Sequence, residues 1–84
     1  MESEGSSRAE LTSVASEWAR LATECGRRAT IWAEHAGRWA ATGEERLRTA
    51  SRRASLLSDC AREMAAQLRM GALELLDAAS APKS

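Results

Sequence analysis

The side chains best equipped for chemistry are few: one histidine (His35), two cysteines (Cys25 and Cys60), three tryptophans (Trp18, Trp32 and Trp39), and four closely spaced arginines, Arg46, Arg48, Arg52 and Arg53. Catalysis needs a nucleophile, a base within hydrogen-bond reach and a group that orients the base. No such set can be named here. Glu34 and His35 are adjacent, so on a helix they point apart, and the histidine reads as a seam-edge residue rather than a general base. A zinc site needs four donors, yet no pair of Cys, His or carboxylate ligands stands at i, i+3 or i+4 on an inward face. The sequence therefore predicts no enzyme, cofactor, metal centre or small-molecule substrate. Cys25 and Cys60 fall at nearly one level of the hairpin derived below. A bridge needs Cα atoms within about 7 Å, whereas packed helix axes lie about 8–10 Å apart, so two reduced thiols are expected.

The arginine cluster could track a phosphate backbone, which would give a steep salt dependence. Twelve basic against twelve acidic residues leave no net field to draw in a polyanion. Arg46 and Arg53 are also expected across the seam from Trp39 and Trp32, where guanidinium groups can stack on indoles and pair with the Glu-rich first half. A small helical nucleic-acid-associated protein is thus the alternative to a binding module. Tryptophans at helical spacing mean core or interface, and interfaces favour Trp and Arg as anchors.

These residues must be positioned by helices. Eighteen alanines and nine leucines stand against one valine, one isoleucine and no Phe or Tyr, and strands want the β-branched and aromatic residues that are missing. The expected fold is all-α. Residues 1–6 and 80–84 are small and polar and read as flexible tails. Ser7-Arg8-Ala9-Glu10 matches a capping box, and Thr42-Gly43-Glu44-Glu45 offers a second one with a glycine suited to a helix end. Helix 1 is expected over about 7–41, a turn at 42–43, and helix 2 over about 44–79. Gly26 leaves open a break giving three helices, and a straight Thr42-Gly43 would instead give one long helix in a parallel coiled coil.

In helix 1, Leu11, Trp18, Cys25, Trp32 and Trp39 recur every seven residues, with Val14, Leu21 and Ala15, Ala22, Ala29 and Ala36 alongside. In helix 2 the expected seam runs through positions 47, 50, 54, 57, 61, 64, 68, 71, 75 and 78, including Leu47, Leu57, Met64, Leu68 and Leu75. Folding back at 42–43 pairs residues whose numbers sum to about 85 or 86, so Trp18 should meet Leu68, Leu21 Met64, Ala29 Leu57 and Ala36 Ala50. Residues 1–45 carry five Arg and eight Glu, and residues 46–84 carry six Arg, Lys83, two Glu and two Asp. The halves should attract.

Leu56, Met70, Leu73 and Leu76 lie off this seam, and one hairpin cannot cover both sides of helix 2. A pair of helices is also too thin to shield tryptophans. The expectation is a hairpin that dimerises into a four-helix bundle or takes up the helices of a partner protein. No run of 18 apolar residues suggests a membrane span, and the acidic Met1-Glu2-Ser3-Glu4-Gly5 is unlike a signal peptide, so a soluble intracellular chain is expected. A secreted hairpin of the heterodimer-forming kind is disfavoured, because Trp39-Ala40-Ala41-Thr42-Gly43 supplies no Trp-x-Gly turn.

The segment Ala29 to Met64 resembles central element protein 3 of the synaptonemal complex. The matching residues are Ala29-Thr30 and Trp32, Thr42 at the turn, Leu47, Arg52-Arg53, and Cys60 with Glu63-Met64. Trp32, Cys60 and Met64 align without a gap, and Thr30, Leu47 and the arginine pair need shifts of one residue. The resemblance implies a self-associating hairpin in a nuclear, meiotic scaffold that binds other coiled-coil proteins, with Trp32 as a core position.

Overall fold

A computed structural model describes residues 2–81, with side chains from 7 to 81. Two helices, α1 (Glu2–Ala41) and α2 (Glu45–Ser80), pack side by side as an antiparallel hairpin. The alanine load favours helix throughout, and tertiary pairing stabilises what propensity alone leaves marginal. The molecule is a rod of 64 × 16 × 13 Å with a radius of gyration of 18.8 Å, where a compact chain of this length would have about 12 Å. The rod length matches about 40 residues at a 1.5 Å rise.

The reversal is made at Gly43, whose φ is +79°; a Cβ there would cost about 1–2 kcal/mol. Thr42 closes α1 by donating its hydroxyl to the Trp39 carbonyl at 2.8 Å. The Arg48 guanidinium reaches back to the Gly43 carbonyl at 3.0 Å. Neither expected capping box forms: α1 runs through Ser7 from Glu2, and the N-cap of α2 is Glu44, with no side-chain bond to the helix. The first turn therefore begins one residue after the expected start, while α2 extends to Ser80. The tail expected at 1–6 is helical from Glu2 onward, and positions 1 and 82–84 lie outside the described residues. α1 is continuous through Gly26 and Gly37, which excludes the three-helix alternative.

The core consists of small residues. Buried on α1 are Ala15, Ala22, Ala29 and Ala36, and on α2 Ser51, Ala54, Ser58, Ala65 and Ala72. Apart from Ala54, both sets repeat every seven residues, the period at which a stripe keeps facing its partner. Ser51 donates its hydroxyl to the Ala36 carbonyl at 2.7 Å, and Ser58 to the Ala29 carbonyl at 2.8 Å. A serine side chain is so short that direct bonds to the opposite backbone demand close approach, at the tight end of the usual helix spacing.

These bonds set the register, pairing residues whose numbers sum to 87, and they correct the sequence expectation by about one position. Ala29 meets Ser58 rather than Leu57, and Ala36 meets Ser51 rather than Ala50. The α2 seam passes through 51, 58, 65 and 72 in place of 50, 57, 64 and 71, so α2 is rotated about its axis relative to the expected face. As a result Leu57 and Met64, expected inside the seam, are 40% and 59% exposed; Leu21, also expected there, is 38% exposed because α1 buries its alanine stripe instead. The Trp18 ring lies over Gly71: a Cβ at 71 would stand 2.6 Å from Cζ3 of the indole. The physical reason is packing distance, since alanine and serine permit an approach that leucine and methionine at the same positions would prevent.

Candidate functional site

The two flanks of the seam differ. One is built of small and polar groups, with Ala33, Gly37 and Ala40 of α1 facing Ser55, Asp59 and Arg62 of α2 across an open groove. Farther along, the Arg69 guanidinium passes 3.8 Å from the place a Gly26 Cβ would occupy. The other flank is apolar. At its open end Leu11, Val14, Trp18 and Leu75 line a groove edged by Glu10. Leu21, Leu57 and Met64 occupy its middle, and Ile31, 45% exposed, borders Trp32 beside Glu24, Arg27 and Arg28.

No large side chain among the described residues is fully buried. Leu11, Val14, Trp18, Cys25, Trp32, Trp39, Leu47, Leu68 and Leu75 are half-buried along the seam edge. Leu56, Met70, Leu73 and Leu76, which sequence reasoning put off the seam, are 62%, 58%, 67% and 42% exposed; Leu56 and Met70 share the outer side of α2, whereas Leu73 and Leu76 continue the heptad positions of Asp59 and Arg62 beside the small-residue flank.

His35 joins the tryptophans in a way the sequence did not reveal. Its ring stacks on Trp39 (centroids 5.1 Å apart, planes 10° apart) and meets Trp32 edge-on at 6.0 Å. Arg38 donates to its Nδ1 at 2.6 Å. The i, i+3 and i, i+4 spacing of 32, 35, 38 and 39 is the signal that could have found this cluster. Trp39 thus has a histidine as its stacking partner where Arg46 was expected.

The arginine cluster divides. Arg46 and Arg53, seven residues apart, share one side of α2, whereas Arg48 and Arg52 share another, rotated by roughly 100° or more. Arg48 is also engaged at the turn. The two ion pairs among the described residues, Arg20–Glu17 at 3.7 Å and Arg62–Asp59 at 4.0 Å, are exposed and lie within single helices. The attraction between the halves is therefore not expressed as cross-helix bridges, and exposed pairs contribute little. Cys25 is half-buried and Cys60 exposed, and both are free thiols. Among the described residues no group of three or more His, Cys, Asp or Glu could hold a metal ion, and no helix is long and apolar enough to cross a membrane.

No family model, curated protein or solved structure matches this chain.

Proposed function

We propose that this chain is a non-enzymatic self-association and protein–protein assembly module, a helical hairpin that pairs with a second copy in a four-helix bundle and presents its remaining apolar surface to other helical proteins. The observation that carries this reading is the poverty of the core. Seven alanines and two serines are all that the described residues bury, while eight large hydrophobic side chains are exposed. The chain exposes 6464 Å², where a compact protein of 9.1 kDa would expose about 4,900 Å². That surplus exceeds the roughly 800 Å² per partner of a standard interface. The dimer uses the apolar flank, and the exposed Leu56, Met70, Leu73 and Leu76, which lie away from it, are left for a partner helix.

Sedimentation equilibrium tests the reading. The wild type is expected at twice its chain mass, and Leu57→Glu combined with Met64→Glu is expected to lower that mass toward the monomer while far-UV circular dichroism stays helical. A wild type that remains a helical monomer at every concentration would contradict it.

A finer form of the reading, a component of the synaptonemal complex central element in the meiotic nucleus, has the resemblance over residues 29–64 as its support. The nucleic-acid alternative rests on Arg46, Arg48, Arg52 and Arg53, whose division between two sides of α2 weakens the case for one phosphate-tracking stripe. Steeply salt-dependent binding that is lost in Arg52→Ala with Arg53→Ala would favour that alternative over assembly.

A further inference from the structure

The charges bordering the apolar flank are sorted along the rod. In the register set by Ser51 and Ser58, the side of α1 next to Trp18 and Trp32 carries Glu10, Glu17 and Glu24, followed toward the turn by Arg27, Arg28 and Arg38. The matching side of α2 carries Arg46 and Arg53 near the turn and Glu74 near the open end. On the turn side of the level of Cys60 this border therefore carries five positive charges, and on the open side four negative ones. No such sorting occurs on the small-residue flank, where Asp59 lies beside Arg62. Glu17 also contacts Arg20 at 3.7 Å, an exposed pair that leaves its charge available to the solvent side.

We infer that two copies dock flank to flank and head to tail, with α1 against α1 and α2 against α2, about a two-fold axis that crosses the middle of the rod near Cys60. This rests on the self-association reading and adds the face and the orientation. A head-to-head pair would lay like charges on like at both ends. The head-to-tail pair lays the basic turn half of each copy on the acidic open half of the other, and a two-fold makes the contact reciprocal and closed. The same axis relates positions on α2 whose numbers sum to about 121, so Leu57 of one copy meets Met64 of the other, and Arg46 approaches Glu74. The most exposed apolar groups of this flank on α2, Leu57 and Met64 at 40% and 59%, are thereby covered by each other. Cys60, exposed and at the border of α2, comes next to its own symmetry mate.

Two measurements on the full chain test this. In a Cys25→Ala background, a short-span bis-maleimide is expected to join Cys60 of one copy to Cys60 of the other in high yield at concentrations where sedimentation shows the dimer. Arg46→Glu with Arg53→Glu should weaken the dimer about tenfold at low salt, as should Gln67→Arg with Glu74→Arg, and an equimolar mixture of the two variants should recover wild-type affinity. The recovery also shows that both variants are folded. A dimer whose Cys60 thiols react with a monofunctional maleimide but do not cross-link would overturn the orientation. So would a dimer unchanged or tightened by the Arg46→Glu and Arg53→Glu reversal, the outcome a head-to-head pair would give. A wild type that does not dimerise would instead remove the self-association reading on which the orientation depends.

Discussion

At the scale of single residues, the most specific contact is the indole of Trp18 on the bare backbone of Gly71. A glycine inside a helix costs about 1 kcal/mol relative to alanine, so its presence at 71 has a packing use. Gly71→Ala would gain helix propensity and still destabilise the protein, by about 1–3 kcal/mol, because the new Cβ stands 2.6 Å from the ring and the indole must move. Urea unfolding checks the sign. In a Trp18→Leu background the same substitution should be much less costly, since the atom it strikes is gone; equal costs in both backgrounds would show that the contact is not what holds Gly71. Sequence reasoning could see that large faced small along this seam, but it did not place the Trp18 ring over Gly71. The stacking of His35 on Trp39 was likewise unreadable, because i, i+4 spacing permits a contact without saying which rotamers are free to make it.

At the scale of elements, the all-α class, the reversal at Gly43 and the antiparallel pairing were legible, because composition, a positive-φ residue and a sustained heptad point to the same hairpin. The face of α2 was not. Two stripes of three-and-four spacing overlap on that helix, and hydrophobicity selects the one containing Leu57 and Met64. Close packing selects the one containing Ser51, Ser58, Ala65 and Ala72, since these match the alanines of α1 at every seventh position. The readable signal was the size of the residues. It follows that Ala22, which has no exposed surface, should not tolerate growth: Ala22→Leu is expected to cost about 1–3 kcal/mol or more by wedging the helices apart. Leu56→Ala, at a site 62% exposed on the outer side of α2, should change the stability of the isolated hairpin by no more than about 0.5 kcal/mol. Chemical denaturation of the two variants checks the pair, and the reverse order of costs would mean that the seam has been placed on the wrong face.

At the scale of the whole molecule, the hairpin is long, thin and under-filled. Its radius of gyration of 18.8 Å and its seven buried alanines leave the single hairpin with a thin core, and chains of about this length seldom obtain much stability from one core alone. The tryptophans carry this point, because all three are half-buried in the single chain and line the flank on which a second copy is proposed to sit. Their emission therefore reports coverage directly. Fluorescence followed through a dilution series, with mass measured on the same samples, is expected to show a blue-shifted maximum at high concentration that moves to the red as the mass falls to that of one chain. An emission maximum that stays fixed while the mass halves, or a protein that remains one chain throughout, would contradict the account.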